Sequence, residues 1–245
     1  MQIMNDVTPS QDPFLPFSLH NPMDNVPFLR DIHTENAIDI NHHDVKMESK
    51  QREAHLIPNV VAQQIKQQIS HLLSLPADEY AAVGRKKYMA KSLDNHNCDN
   101  DILCGQKGLF AASDLPAYMV IGIYAGYYLQ NVQDFEMAYD RMNPVLVDRY
   151  MHSCNEFGSP AVSAYIAGNY MSYVNDWRPY GFEKMENLSE LQEQRQNALS
   201  VIGQSEDKYF VAYVTIKPIW TGEEILTDYG SGYWEREDFI KKSLL

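Results

Sequence analysis

The stretch of sequence that decides the fold runs from Arg195 to Trp234 and reads RQNALSVIGQSEDKYFVAYVTIKPIWTGEEILTDYGSGYW. Two segments in it, ALSVIG and YFVAYVTI, are rich in β-branched and aromatic residues and are separated by a polar turn, which predicts a β-hairpin. A Thr-Gly-Glu-Glu turn, a short apolar run and an Asp-Tyr-Gly sequence follow, before two adjacent aromatic residues. We expect paired strands that lead into a polar segment bearing a tyrosine.

The region before this stretch alternates short apolar segments with turn residues. GLFAA and MVIGIYAGYYL have the composition of strands, and NVQDFEMAYDRM at 131–142 has the pattern of a helix. The polar sequence LSELQEQRQNA is predicted to be a surface insertion. Many short strands with few helices predict a β-rich α+β fold of small sheets.

The N-terminal part of the chain divides into two segments. Residues 1–57 are rich in Asn, Asp, Pro and His without a sustained hydrophobic period, which predicts a flexible arm. Residues 58–100 contain an amphipathic helical pattern. Its apolar residues fall mostly on one face: Val60, Val61, Ile65, Ile69, Leu72 and Leu73. We therefore expect an arm, a helical segment and a main domain at 101–238.

Composition narrows the class of protein. The net charge of −13 and the pI of about 4.9 disfavour direct nucleic-acid binding and favour a cationic partner, although acidity can also serve solubility alone. The cysteines Cys98, Cys104 and Cys154 form no CxxC pair, so we expect neither a disulfide framework nor a structural metal. The sequence shows no transmembrane run and no secretory signal peptide, which predicts a soluble protein of the cytoplasm or nucleus.

Four segments, taken in order, resemble the SET domain, the fold of many protein-lysine methyltransferases. They are QKGLFAA with Gly108, GIYAG with Tyr124, GNYMSYVND with Asn175, and TGEEILTDYG with Tyr229. The fourth is the most specific, because it matches the family pattern Gly-Glu-Glu-Leu-x-x-Asp-Tyr in length and residue type. The resemblance covers about Gly105 to Trp234.

Three positions depart from the family pattern. Gln106 stands where the first Gly of a Gly-x-Gly turn is usual, Ser172 replaces an Arg, and Asp176 replaces a His. The sequences YVN and QNAL are closest to the PR-type branch of the family, which also lacks that His and has active members.

The resemblance implies an S-adenosylmethionine-dependent protein-lysine N-methyltransferase that acts on a basic protein such as a histone, and hence a role in chromatin regulation. Tyr229 would point at the reacting lysine amine, and Tyr124 would line the lysine channel. The residues expected to contact the cofactor are Gln106, Lys107, Gly108, Leu109, Asn175, Asp176, Tyr229 and Trp234.

Two other hypotheses stay open. One is a SET-fold domain that has lost catalysis and serves as a protein-interaction module; Gln106, Ser172 and Asp176 favour it. The other is an unrelated β-rich binding domain, which would have no affinity for S-adenosylmethionine. A eukaryotic regulator and a bacterial effector delivered to a host are both compatible with the sequence, and the oligomeric state is not indicated.

Overall fold

The computed structural model describes residues 59–93, 107–154, 160–165, 168–179, 182, 185–205, 208–230 and 232–234. The helices in these ranges are α1 (Asn59–Ser74), α2 (Ala77–Lys87), α3 (Val132–Arg141), α4 (Pro144–Arg149) and α5 (Leu188–Arg195), with a 3₁₀ turn at Tyr170–Tyr173. The strands are β1 (Tyr88–Ser92), β2 (Lys107–Ala111), β3 (Val120–Ile123), β4 (Tyr127–Leu129), β5 (Met151–Ser153), β6 (Ala161–Ser163), β7 (Asn175–Asp176), β8 (Ala198–Ser205), β9 (Lys208–Thr215) and β10 (Leu226–Thr227).

The strands form small sheets. One antiparallel sheet has the order β3-β9-β8 and a second has the order β4-β6-β5, while β1 pairs with β2 and β7 pairs in parallel with β10. The predicted hairpin is confirmed, since β8 and β9 pair continuously from Ala198↔Thr215 to Ser205↔Lys208. The predicted helix at 131–142 is also confirmed, and its capping box joins Asn131 to Asp134. The β-rich α+β fold preceded by a helical segment is therefore confirmed.

Helix α1 buries the apolar face that its sequence predicts. The buried residues follow the i, i+4, i+7, i+8 spacing of a helical face and are Ile65, Ile69, Leu72 and Leu73. Val60, at the start of the helix, is instead 85% exposed. The Gln68 side chain accepts a hydrogen bond from the Val120 amide (2.9 Å) and donates one to the Tyr118 carbonyl (3.2 Å). Helix α1 is thus hydrogen-bonded through Gln68 to the backbone at the start of β3.

Helix α2 is joined to the same strand through a tyrosine. The Tyr80 hydroxyl accepts from the Ile123 amide (2.7 Å) and donates to the Ile123 carbonyl (3.3 Å). A Cβ atom on Gly122 would lie 2.7 Å from that hydroxyl and 2.8 Å from the hydroxyl of Tyr170, so only glycine fits there. Residues of α1, α2 and the strands share one hydrophobic cluster. The three-part division of the chain stays a prediction, and residues 1–57 lie outside the described ranges.

The apolar segment MVIGIYAGYYL contributes to two sheets. It forms β3 and then β4, with a break between Tyr124 and Gly126. A Cβ atom on Gly126 would lie 2.2 Å from the carbonyl oxygen of Ser163, so the backbones approach too closely for any other residue. Tyr124 therefore lies at the corner between the β3-β9-β8 and β4-β6-β5 sheets.

The predicted surface insertion LSELQEQRQNA is confirmed only in its first part, since Leu188–Arg195 form α5 and no residue of that helix is buried. Its last three residues, Gln196, Asn197 and Ala198, are buried, and Ala198 begins β8, so this part of the prediction is wrong. None of the helices in the described part of the chain is long and apolar enough to cross a membrane.

Candidate functional site

The third and fourth motif segments lie side by side. Strands β7 and β10 pair in parallel, with Asn175 opposite Leu226 and Asp176 opposite Thr227. The Trp177 amide extends the pairing by donating to the Thr227 carbonyl (2.9 Å). This pairing brings the GNYMSYVND and TGEEILTDYG sequences, separated along the chain by an insertion, into one site.

The first motif segment lies against the fourth. The Ala111 amide donates to the Glu223 carbonyl (2.9 Å), and the Ile225 amide donates to the Leu109 carbonyl (2.8 Å). Strand β2 is thus bonded to β1 on one side and to the segment before β10 on the other. The glycine of QKGLFAA is therefore a close neighbour of the Gly-Glu-Glu turn.

Glu224 joins these segments with its side chain. Its Oε1 accepts a hydrogen bond from the Asn175 side-chain amide (2.9 Å), which also donates to the Lys107 carbonyl (3.3 Å). A Cβ atom on Gly108 would lie 2.5 Å from the same Oε1. The absence of a side chain at Gly108 therefore makes room for the Glu224 carboxylate. Glu224 belongs to the Gly-Glu-Glu motif, but no role of its side chain was predicted.

Asn197, in the QNAL sequence, supports the same region. Its amide donates to the Leu226 carbonyl (3.1 Å), its Oδ1 accepts from the Leu226 amide (2.8 Å), and its Nδ2 donates to the Glu224 carbonyl (2.8 Å). These bonds give the short strand β10 a second set of backbone partners. A polar residue at the beginning of an apolar strand is the signal that points to such a structural role.

Tyr124 belongs to a group of aromatic side chains. Its hydroxyl donates to the Tyr150 carbonyl (2.7 Å). Its ring meets His152 and Tyr213 edge-on, at centroid distances of 5.8 and 6.1 Å. Burial, with a contribution from neighbouring Tyr213, raises the pKa of the Tyr124 phenol well above its ordinary value. The phenol is therefore neutral at physiological pH.

Tyr229 lies in the same group. Its hydroxyl donates to the Val174 carbonyl (2.7 Å), and its ring packs against Tyr233 at 4.7 Å between centroids. Burial raises the pKa of the Tyr229 phenol well above its ordinary value, and the nearby phenols of Tyr233, Tyr213 and Tyr124 add to the rise. The Tyr124 phenol is thus close enough to that of Tyr229 to contribute to the rise in its pKa.

Four members of this group were not predicted from the sequence: Tyr150, His152, Tyr213 and Tyr233. We call them, with Tyr124 and Tyr229, the tyrosine cluster. The high count of 16 tyrosines was the only signal. A count of tyrosines does not show which of them contact each other, because the members of the cluster lie on several elements that are far apart in the sequence.

An aromatic row continues from the tyrosine cluster. Trp234 meets Tyr233 at 5.2 Å and Phe182 at 5.4 Å between ring centroids. The Arg178 guanidinium lies over the Phe182 ring at 5.5 Å and over the Trp177 ring at 4.7 Å. This row links Phe182, in the insertion, to Tyr233 and Trp234, the aromatic residues that follow the fourth motif segment.

Asp176 is almost fully buried, at 2% exposure, and its carboxylate is hydrogen-bonded on several sides. It accepts from the Tyr229 amide (2.6 Å), from the Arg178 amide (2.8 Å) and from Arg178 Nη1 (2.8 and 3.0 Å). Burial raises the pKa of Asp176 to about 6, against the lowering effect of Arg178. In this structure the residue predicted to contact the cofactor holds the backbone of Tyr229.

Three buried polar atoms in this region have no hydrogen-bond partner among the residues that the structure describes: Trp177 Nε1, Thr227 Oγ1 and Trp234 Nε1. An unpaired buried donor is costly, so such atoms mark places where a ligand or water would bind. The expected contact of Trp234 with the cofactor stays a prediction.

The remaining predicted contacts have different surroundings. Lys107 is exposed, with its ammonium 5.5 Å from the ring centre of Tyr173, whereas the Leu109 side chain is fully buried in the core. Gln106 lies outside the described residues. Among the residues that the structure describes, no group of three His, Cys, Asp or Glu side chains is arranged to hold a metal ion.

No protein-family model matches the chain, and no curated protein matches it. Parts of solved structures of the Polycomb Repressive Complex 2 of Chaetomium thermophilum are similar to it. The complex bound to GSK126 matches with a TM-score of 0.44 and 17% identity, over 71% of this chain and 20% of that one. The complex in an autoinhibited conformation bound to S-adenosylmethionine matches with a TM-score of 0.43 and 18% identity, over 74% of this chain and 20% of that one.

A further crystal structure of the same complex matches with a TM-score of 0.42 and 18% identity, over 70% of this chain and 19% of that one. The chain thus spans about one fifth of the length of the chains it matches. These overlaps are partial, and they transfer neither activity nor substrate to this chain.

Proposed function

We propose that this chain is an S-adenosylmethionine-dependent protein-lysine N-methyltransferase of the SET type. The observation that carries the proposal is that Tyr124 and Tyr229 both belong to one aromatic cluster, next to the strand that bears Asn175. The four motif segments that resemble the family are far apart in the sequence, and their elements converge here. An unrelated β-rich domain would have no reason to assemble them.

The tyrosine cluster suits a lysine amine. A lysine in water is protonated, with a pKa of about 10.4, and an environment of neutral rings disfavours the ammonium form. The hydroxyl hydrogens of Tyr124 and Tyr229 are donated to the carbonyls of Tyr150 and Val174. Their oxygens are left to accept hydrogen bonds. They would accept from the amine N–H groups and so orient its lone pair.

Bound S-adenosylmethionine would supply an electrophilic methyl group. The residues that would hold it are Asn175, through Oδ1, Trp234, through its unpaired indole N–H, and the backbone near Gly108. Tyr229 would border both the cofactor and the amine. Asp176 acts indirectly, because its oxygens are occupied by Arg178 and Tyr229. A contact by Gln106 stays a prediction.

The substrate would be a basic protein with a histone-like tail, in the cytoplasm or nucleus of the producing cell or of a host. The net charge of −13 would attract such a tail and disfavours direct binding to nucleic acid. Placement in the PR-type branch stays a prediction that rests on the YVN and QNAL sequences.

One observation favours the alternative of a catalytically degenerate interaction module. The Glu224 carboxylate takes the space beside Gly108 and holds the amide of Asn175, both of which were predicted to contact the cofactor. A cofactor that contacts both Gly108 and Asn175 would have to displace the Glu224 carboxylate.

Calorimetric titration of the full chain with S-adenosylmethionine tests the proposal. We expect saturable binding that Asn175→Ala abolishes, while Asn143→Ala, an N-cap substitution on α4, leaves it unchanged. We further expect Tyr229→Phe to bind the cofactor and to lose transfer of a labelled methyl group to mixed core histones. A folded protein without affinity for S-adenosylmethionine would refute the enzyme and favour the interaction module.

A further inference from the structure

We propose that Arg178 is the positioning residue for Tyr229, through two carboxylates that it holds together. The functional part of this inference rests on the proposed methyltransferase activity, in which Tyr229 orients the amine. Arg178 lies just after the family motif, in the insertion, and no motif resemblance assigns it a role.

A single guanidinium nitrogen joins the two carboxylates. Arg178 Nη1 lies 2.8 Å from Asp176 Oδ2 and 2.6 Å from Asp228 Oδ1. The side chains of Asp176 and Asp228 are 0% and 17% exposed, and that of Arg178 is 12% exposed. Ion pairs at this burial are screened little by water, and their charge-assisted hydrogen bonds are among the strong ones.

The two carboxylates hold the backbone on both sides of the Tyr229 side chain. Asp176 Oδ2 accepts from the Tyr229 amide (2.6 Å), and Asp228 Oδ1 accepts from the Gly230 amide (2.6 Å). Gly230 has a φ of 81°, in the left-handed region that glycine adopts without strain. The turn after Tyr229 therefore depends on two amide–carboxylate bonds, and Arg178 connects them.

Arg178 is itself held in place by its surroundings. Its guanidinium lies over the rings of Trp177 (4.7 Å) and Phe182 (5.5 Å), and helix α5 contributes a contact from Gln192 Nε2 to Asp228 Oδ2 (3.4 Å). A planar guanidinium can stack and bridge two acids at once, which a lysine ammonium cannot do equally well. Residues of the insertion thus contact the ion-pair network, through Phe182 and Gln192, although its helix α5 buries no residue.

Arg178 acts on Tyr229 through the backbone, because its guanidinium pairs with the two carboxylates that accept from the Tyr229 and Gly230 amides. Removing Arg178 would leave two adjacent carboxylates with no shared counter-ion, and they would repel each other. The Asp228 side chain would turn towards water, and the amides of Tyr229 and Gly230 would lose their acceptors together.

Amide proton NMR of the full chain tests this coupling, with Arg178→Gln as the variant and Arg85→Gln, on the exposed face of α2, as the matched control. In Arg178→Gln we expect the Tyr229 and Gly230 amides to exchange at least about tenfold faster, the equivalent of weakening one charge-assisted hydrogen bond at each. The Trp177 amide, bonded to Thr227, should stay protected. Unchanged exchange at Tyr229 and Gly230 would overturn the proposal.

A double variant covers the case in which Arg178→Gln does not fold. Asp176→Asn/Arg178→Gln keeps the net charge and removes the repulsion between the two acids, and we expect it to fold with faster exchange at both amides. Wild-type protection in the folded double variant would equally overturn the proposal.

Kinetics with labelled S-adenosylmethionine and mixed core histones give the functional readout. We expect Arg178→Gln to lower kcat at least about tenfold while the Kd for S-adenosylmethionine stays within about twofold. Equal loss of cofactor affinity and kcat would show a general structural role instead. If the wild-type chain does not bind S-adenosylmethionine, the proposed function fails, and the amide exchange still decides whether Arg178 holds Tyr229.

Discussion

Tyr229 joins two regions that are stabilised in opposite ways: its side chain belongs to the tyrosine cluster, and its backbone amide is held by the Asp176–Arg178–Asp228 network. In the cluster, burial keeps the phenols of Tyr124 and Tyr229 neutral, and their hydroxyls donate to backbone carbonyls. In the network, the buried carboxylate of Asp176 and the half-buried side chains of Arg178 and Asp228 form linked ion pairs. The Tyr229 hydroxyl is therefore oriented by an uncharged backbone carbonyl, whereas its backbone amide is held by a charged carboxylate. Substitutions can therefore weaken one of these interactions without the other.

The largest effect is expected from removing the central charge of the network. Arg178→Met leaves Asp176 and Asp228 without their shared cation, and breaking such a buried pair costs about 3–5 kcal/mol. Urea denaturation of the variant should show this loss in the free energy of unfolding. Arg85→Met, on the surface of α2, serves as the control. A loss below about 1 kcal/mol would mean that the network behaves like a surface ion pair.

The network also predicts a dependence of stability on pH. Burial raises the pKa of Asp176 from 3.8 in the unfolded chain to about 6 in the folded protein, so the folded state binds this proton more tightly. Its contribution to the free energy of unfolding is fully present below pH 3.8 and is lost as the pH rises to about 6. The total is about 3 kcal/mol at 1.4 kcal/mol per pKa unit.

Comparison of the wild type with Asp176→Asn isolates this contribution. The stability of the wild type relative to the variant should fall by about 3 kcal/mol between acid and neutral pH, because the variant cannot ionise at this position. Denaturation curves at both pH values measure the change. A constant difference between the two proteins would show that the pKa of Asp176 is not raised.

Sequence reasoning accounted for the parts of the molecule that local patterns encode. The apolar spacing from Ile65 to Leu73 predicts the buried face of α1, and the two β-rich segments around a polar turn predict the β8–β9 hairpin. The assignment of Tyr124 and Tyr229 to a lysine channel rests on the resemblance and stays a prediction. The two successes depend on the periodicity of a helix and on strand-forming residues around a turn.

The network was not predictable in this way. Asp176 and Arg178 are two residues apart, but Asp228 lies 50 positions further along the chain, and no periodicity links them. The predicted contact between Asp176 and the cofactor rests only on the position of Asp176 in the GNYMSYVND segment. Likewise, the corner at Gly126 depends on the backbone of Ser163, a contact between sheets that the strand-like composition of MVIGIYAGYYL does not encode.

A smaller effect on stability is expected in the tyrosine cluster. Tyr229→Phe removes one hydrogen bond to the Val174 carbonyl and should lower the free energy of unfolding by about 1–2 kcal/mol. Tyr124→Phe, which frees the Tyr150 carbonyl, is the matched variant within the cluster. Urea denaturation at neutral pH measures both. A loss as large as that of Arg178→Met would erase the distinction between the two regions.

The smallest effect on stability is expected at Trp234, where the aromatic row meets the tyrosine cluster. Trp234→Phe keeps a ring against Phe182 and Tyr233 and removes an indole N–H that has no partner, so lost packing and a relieved unpaired donor should nearly cancel, within about 1 kcal/mol. If that N–H binds S-adenosylmethionine, calorimetry should show a loss in affinity of about tenfold. Trp220→Phe, at a 59% exposed tryptophan, should change neither quantity. An unchanged cofactor affinity in a folded Trp234→Phe variant would remove this indole from the proposed cofactor site.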